Sequence, residues 1–554
     1  MKVPKSVQDA IPIKGLYSDG IFYLENNKYS KTYRFSDVNY AIANNEDKEN
    51  MFLKYSELLN SLDSGAENKI TIVNRRINKT NFEKEMLLKD AKDNLDVYRK
   101  EYNEILLNKA ETSNKIIQEK YITTTVEKKN VFDARTYFTR VGNEYSKHLS
   151  ELKSKCVELD CNERLRLFHD FYRTSEESNF VFDIKNNMRK GHDFKDYISP
   201  DSFEIKRDYI KIGERYARVL FLKEYASYIS DNMITELTNL NKNLMLSIDI
   251  LSVPMDEAVR EAENRRLGVE TNITQWQRRQ NNNNNFSAVI PYDLEIQRQE
   301  SKTFLDDLIS RDQRMFLCVM TLVHTAESKE ELDNDTEVLL SVGKKHMCQL
   351  AILKYQQLEG LNTVLPIGHR KINALRTLTT ESLAVFMPFR VQEINDKEGI
   401  YYGQNTISKN MIVADRKRLL NGNSFILGVS GSGKSFTAKQ EEKEAKEIAL
   451  AIELFTDGSL NTFAKHTNVN TENRLICYDI LELGKQLQPI GMLVILDSIL
   501  NRITVNRAKG KNTYIFIDEI YLLFQQEYSA NFLFTLWKRV RKYGAFCTRY
   551  NSKL

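Results

Sequence analysis

The sequence predicts a mixed chain, α+β over residues 1–375 and α/β over residues 376–554. Three observations carry that division. Strand–helix–strand patterns recur through the first part. In the second part a glycine-rich turn, Gly428 to Ser435, stands between an apolar run and a helix-compatible one. Further on, the β-branched and aromatic run Thr513 to Ile517 ends in two acids, Asp518 and Glu519.

Residues 20–35 predict a hairpin that turns at Asn26 and Asn27, with apolar and aromatic residues on both arms. A helix over about 46–62 and a strand at Lys69–Val73 follow. Between about 80 and 118 the pattern changes to a long charged helix. Leu88, Ala91, Leu95, Tyr98, Tyr102 and Ile105 recur there at alternating three- and four-residue steps. Such a stripe suits an intramolecular helix pair or a dimerising coiled coil. Tyr121–Val126 reads as a strand and 132–153 as a helix.

Two α+β units come next. Ala217–Leu222 leads through a helix at about 229–241 to the strand Met245–Leu251. Arg314–Leu322 leads through a helix near 328–342 to Cys348–Leu353. Repetition of this kind suggests ferredoxin-like halves that pack helices on one sheet face. The five-asparagine run Asn281–Asn285 reads as a solvated loop between them. The α/β part opens near 376–384, where Ala384–Pro388 and Ile400–Gly403 resemble a hairpin. Beyond the glycine-rich turn the pattern predicts a helix at 440–457, a strand at Arg474–Ile480 and an apolar helix near 489–505. A helix at Ser529–Tyr543 and a strand at Ala545–Thr548 complete it.

Composition excludes several classes. With 554 residues the chain has room for about three or four domain-sized units. Hydrophobic residues at 41% and charged residues at 28% are ordinary for a globular protein. Only 21 glycines and 8 prolines favour long helices over a turn-rich β fold. A net charge of +4 gives no bulk argument for nucleic-acid binding. Six scattered cysteines make no disulfide framework, and Cys156 and Cys161 have no second pair with which to hold zinc. The N-terminus lacks the apolar core of a signal peptide, and no run reaches the ~18 apolar residues of a membrane span. The expectation is a cytoplasmic protein that meets the membrane only through partners.

The turn at Gly428–Ser435 satisfies G-x-x-x-x-G-K-[ST]. Glycines 428, 431 and 433 let the backbone wrap tightly, so that amides including those of Ser430 and Ser432 point inward at a phosphate. The following helix adds its positive end. Lys434 would reach the β- and γ-phosphates, and the Ser435 hydroxyl would ligate Mg²⁺. Asp518 then completes the metal site, usually through water, and Glu519 polarises the attacking water. ATP and Mg²⁺ are the implied cofactors, and Lys434, Asp518 and Glu519 the catalytic candidates. For the acidic pair alone, a strand ending in a solvated turn would suffice.

With Gly403–Asn405, Asn423–Ser435, Phe516–Ile520 and Leu536–Gly544 in view, the chain resembles the large TraC/TraE-like conjugation ATPases of type IV secretion, on the HerA–FtsK branch of RecA-like motors. The resemblance spans nearly the whole chain, hairpin 20–35 included. It implies an N-terminal domain, 1–375, that docks on a secretion channel, and a RecA-like motor, 376–554. It implies hexamers at the inner face of the cell membrane, with nucleotide sites between subunits. Hydrolysis would energise channel assembly or transfer of DNA and protein. An arginine acting in trans on a neighbour's γ-phosphate would be Arg539 or Arg541, for each of which a helix-surface salt bridge is the alternative.

Two departures shape the expectation. Lys434 and Asp518 stand closer together than this motor class places them, and the family's strand after the phosphate-loop helix is missing. Its γ-phosphate-sensing glutamine and C-terminal helical part do not follow Thr548. The reading is therefore an internally deleted, C-terminally truncated copy whose RecA-like domain is incomplete and nucleotide affinity weak. Its alternatives are a non-catalytic docking scaffold and an FtsK-like DNA-pumping coupling protein, which would carry N-terminal membrane spans.

Overall fold

The computed structural model describes residues 4–76, 87–88, 92–93, 96–112, 116–174, 176, 180–184, 189, 191–225, 232–283, 285, 289–394, 396, 399–418, 424–427, 473–479, 484–518, 524, 527–540 and 544–551. Two units divide the chain: 1–84, 112–393 and 405–410 form the first, and 85–111, 394–404 and 411–554 the second.

The first unit opens with β1 (Gly15–Leu16), β2 (Phe22–Tyr23) and β3 (Lys28–Phe35). The expected hairpin joins β2 to β3, with Asn26 and Asn27 at φ +58° and +56°. Asparagine tolerates that left-handed conformation, and it matches strand twist. α1 (Asn45–Asn60) starts where the Asn44 side chain accepts the Asp47 amide at 2.7 Å. Then come β4 (Ala66–Arg76), α2 (Asp96–Thr112), β5 (Ile116–Glu127), α3 (Val131–Glu151), β6 (Cys156–Glu158) and α4 (Cys161–Tyr172). A reciprocal capping box of Asp160 and Glu163 starts α4.

The long helix expected over 80–118 is corrected here. α2 has 17 residues, and 116–120 belong to β5, which pairs with β4 along its length. Ladder bonds to a distant strand override helical periodicity in this stretch. Leu88 is exposed outside the helix, Tyr98 and Ile105 are exposed on it, and Leu106 is buried. Ala91 and Leu95 lie outside the described residues. α2 also groups with the second unit rather than with 1–375.

Next come β7 (Phe203–Ile205), β8 (Ile210–Ile212), β9 (Arg215–Glu224), α5 (Asn232–Thr238) and β10 (Asn243–Ser252). After these come α6 (Met255–Asn282), α7 (Tyr292–Ser310), β11 (Met315–Ala326), α8 (Lys329–Lys345) and β12 (Gln349–Ile352). α9 (Gln357–Val364), β13 (Arg376–Thr379) and α10 (Thr380–Ala384) end the run. The α6–α7 pair went unread in the sequence. It corrects the asparagine-run loop too, because Asn281 and Asn282 close α6.

All these strands share a thirteen-stranded antiparallel sheet. Outward from its centre the first half runs β4-β5-β3-β6 and the second β10-β11-β9-β12. Apart from helices inserted between the second and third strands (α2 in one half, α6 and α7 in the other), each half has β-α-β-β-α-β connectivity, with its third strand lying antiparallel between the first two. The halves meet at β4 and β10, where Ile70 faces Ile248 and Thr71 faces Ser247. The first unit is α+β, as read, and its large sheet is antiparallel.

Helices cover both sheet faces, which corrects the one-sided packing expected. On one face Tyr55, Phe138, Leu237 and Leu339 from α1, α3, α5 and α8 meet Ile70, Ile122, Leu246 and Leu322. On the other, Leu165 and Phe168 of α4 and Leu361 and Val364 of α9 meet Val73, Tyr121, Val219 and Val319. Strands buried on both sides read as near-continuous apolar runs, and β10 does.

The middle of the second face is polar instead. Residues 363–368 cross it without a ladder, so their carbonyls need other donors. Ser30 Oγ donates to the Ile367 carbonyl at 2.6 Å, and Thr125 Oγ1 to that of Gly368 at 2.9 Å. Ser247 Oγ reaches the Val364 carbonyl and Lys69 Nζ that of Thr363. From α4, the buried Arg164 guanidinium donates to the carbonyls of Gly20 (2.7 Å), Ser30 (2.8 Å) and Pro366 (3.2 Å). It also lies 3.7 Å over the Phe22 ring. Gly368 needs to be glycine, since φ is +86° and a Cβ would stand 2.2 Å from Thr125 Oγ1.

A second buried polar group sits under α8. His324 Nε2 lies 3.0 Å from Thr336 Oγ1, which also accepts from Arg218 at 2.8 Å. Arg218 pairs with Asp208 and Asp333, and Lys242 with Asp335. Burial, then the charges of Arg218 and Lys242, push His324 down to about 3 from an ordinary 6.5. The unfolded chain therefore binds the extra proton, and this stability is present above pH 6.5 and lost as pH falls toward 3. Relative to His324→Gln, the parent should lose ~2 kcal/mol between pH 7.5 and 5. Denaturant midpoints at the two pH values check this; parallel losses in both proteins would refute it.

In the second unit β14 (Ile400–Gln404) pairs with β15 (Met411–Ala414). The hairpin expected from Ala384–Pro388 and Ile400–Gly403 is thus corrected, since α10 ends at Ala384 and β14 turns back on β15. β16 (Ser424–Leu427), α11 (Gly484–Ala508), β17 (Thr513–Ile517), α12 (Glu527–Arg539) and β18 (Ala545–Asn551) follow. The expected helix at 440–457 lies outside the described residues. The expected strand at Arg474–Ile480 is not one: residues 473–479 make no ladder. Tyr478 instead shares a 2.8 Å hydrogen bond with Ser498 of α11, and Arg502 of α11 donates to the Asn473 carbonyl. Side-chain contact with a helix replaces the ladder there.

Candidate functional site

The motif-bearing segments converge on a small sheet with the order β16-β18-β17, parallel throughout. All three of its strands, at Ser424–Leu427, Thr513–Ile517 and from Ala545, were legible as short apolar runs, and the β17-α12-β18 crossover suits parallel neighbours, which need a connection long enough to return. Thr548 of β18 pairs with Ser424 on one side and Phe516 on the other. The carboxyl ends of β16 and β17 therefore leave the same edge with one strand between them, staggered by two residues and roughly 12 Å apart. In open parallel sheets that edge is where ligands bind.

Asp518 follows β17 directly and is exposed at that edge. Leu427 ends β16, and Gly428 is the next residue in the chain. The loop residues Gly428, Ser430, Gly431, Ser432, Gly433, Lys434 and Ser435 lie outside the described residues, as do Glu519 and Arg541. Arg539 is the last residue of α12.

Both helices pack on one face of this sheet. Leu496, Ile499 and Ile503 of α11 and Leu533, Leu536 and Trp537 of α12 meet Ile515, Ile517, Ala545 and Cys547. Alternation puts Tyr514, Phe516 and Phe546 on the opposite face, where the Tyr514 and Phe546 rings stack at 5.2 Å. Arg416, buried, lies 5.7 Å from the Tyr514 ring centroid and donates to the Cys547 carbonyl at 3.3 Å. Nothing in the sequence marked Arg416, because one arginine among Asp415, Lys417 and Arg418 reads as solvated. Gly544, at φ +68°, makes the turn into β18.

In this unit the Tyr401 amide of β14 also donates to the Tyr102 hydroxyl of α2 at 3.1 Å. Tyr102 belonged to the apolar stripe in the sequence, and its polar end is what the structure uses.

The first unit holds a buried charge pair of its own. Lys69 Nζ lies 3.3 Å from Asp249 Oδ1, where β4 and β10 join. Burial pushes the Asp249 carboxyl up to about 6 against the pull of Lys69. Burial likewise lowers Lys69. Lys69 also donates to the Thr363 and Leu365 carbonyls, so the pair ties the sheet to the segment that crosses it.

None of the six cysteines is in a disulfide. Among the described residues no helix is long and apolar enough to cross a membrane. No family model matches the chain, and no curated protein matches it either.

Proposed function

We propose that the second unit binds ATP–Mg²⁺ and hydrolyses it, with Lys434 and Ser435 on the phosphates and metal, Asp518 on the metal and Glu519 on the attacking water. One observation carries the reading: the strand running into G-x-x-x-x-G-K-S and the strand delivering Asp518 are parallel and end at one edge. A phosphate held by loop amides and a carboxylate-bound Mg²⁺ need that common edge. RecA-like describes the domain this would make.

The resemblance supplies the larger context. The chain acts as a motor component of a conjugative type IV secretion system, peripheral at the inner membrane face through channel proteins and assembled as a hexamer. Arg539 or Arg541 serves a neighbouring subunit's γ-phosphate. The first unit, with its two ferredoxin-like halves, docks on the channel.

That unit also favours a second reading, a docking scaffold without turnover, because its sheet is covered on both faces without help from the nucleotide segments. Phosphate release by the purified chain with ATP and Mg²⁺ separates the two. Turnover lost in Lys434→Ala supports the motor; no turnover, with no ATP binding, leaves the scaffold.

A further inference from the structure

We infer that Glu57, His148 and Glu151 form a binding site for a divalent transition cation that clips α1 to α3. One ligand atom from each of the three lies within 4.8 Å of the others. His148 and Glu151 are one helical step apart on α3, and Glu57 comes from α1, which packs beside it on the same sheet face. An imidazole with two carboxylates is a ligand set for zinc, cobalt, nickel or manganese, whereas magnesium and calcium favour oxygen alone.

Two independent features point to a cation. His148 Nδ1 is buried and makes no hydrogen bond, so that nitrogen has no partner among the described residues. The electrostatics of the corner are also unfavourable as they stand. Glu57 is in the last turn of α1, and His148 and Glu151 are in the last turn of α3. Two carboxylates thus meet at the negative ends of two helices, where anions are disfavoured and cations stabilised. Among the described residues neither carboxylate has an ion pair with lysine or arginine. Lys54 reaches the same corner, but its ammonium donates to the Glu151 backbone carbonyl at 3.2 Å. A metal would relieve the repulsion and occupy the imidazole together.

Glu57 and Glu151 are exposed and His148 half-buried, so an ion would enter from the carboxylate side. Its role here is structural, a bridge between the helices that cover the first half of the sheet. The second unit's nucleotide segments take no part.

The test uses the full chain after chelator treatment, without nucleotide. Zn²⁺ is titrated calorimetrically and Co²⁺ is followed by visible absorption. One saturable site is expected, weakened at least tenfold in His148→Ala and in Glu57→Gln. The unfolding temperature of the parent should rise with Zn²⁺, while both variants, matching the parent in chelator, should not respond. Failure to saturate, binding unchanged in both variants, or displacement by equimolar Mg²⁺ would overturn the site.

Discussion

On the proposed ATPase reading, replacing Asp518 with asparagine is expected to cut ATP turnover on the order of 100-fold or more, with the unfolding midpoint little changed. The side chain is exposed at the end of β17 and contributes nothing to the apolar contacts of α11 and α12 with that sheet, so the fold should tolerate the change. What disappears is one negative charge at the edge where β16 also ends. Asparagine keeps the shape but holds Mg²⁺ poorly, and the metal is what neutralises charge building on the transferring phosphoryl group. Lys434→Ala should fall by a similar factor through loss of the contact to the β- and γ-phosphates. Combining the two should cost little beyond either alone, since on that reading both would act on one metal–phosphate unit. Steady-state phosphate release at saturating ATP measures all three. Turnover retained in Asp518→Asn would remove the carboxylate from the site and the convergence argument with it.

Replacing Lys69 with methionine is expected to destabilise the protein by about 3–5 kcal/mol at pH 8, among the largest effects available to one substitution. Asp249 would be left as a buried carboxylate without its ion-pair partner. The Thr363 and Leu365 carbonyls would each lose a donor as well. The pH dependence identifies the cause. Already raised to about 6 by burial, Asp249 should rise further without Lys69 and fold protonated. A raised carboxyl contributes stability below its unfolded value that is lost as pH climbs through its folded value. The deficit of Lys69→Met should therefore be smaller at pH 5 than at pH 8. Adding Asp249→Leu should recover the Coulomb part but not the orphaned carbonyls. Denaturant unfolding of the parent and both variants checks this; an equal deficit at the two pH values would show that packing, not charge, is responsible.

Much of the architecture could be read from local pattern. The β2–β3 hairpin, α1, β9, β10, β11 and α8 fall where alternation and periodicity put them. Errors cluster where two signals competed. At 116–120 a charged, helix-compatible stretch lay against a strand partner that local pattern cannot see, and the ladder prevailed. At 474–479 an apolar run looked like a strand but found a helix surface. α6 and α7 were passed over because their polar faces and the asparagine run resemble a loop. In the candidate site, Asp518 was legible as an acid ending an apolar strand, whereas Arg416 was not, because its partners are backbone and rings remote in sequence.

By itself the amino-acid order determined the local elements and the two chemical signals, the glycine-rich turn and the acidic strand end, since each arises from neighbours a few residues apart. Only the tertiary structure decided the rest: that two β-α-β-β-α-β halves join through β4 and β10, that β18 lies between β16 and β17, and that Glu57 meets His148. Those facts depend on backbone partners and helix crossings contributed by segments far apart in the chain. No short-range preference specifies which of many compatible strands will pair.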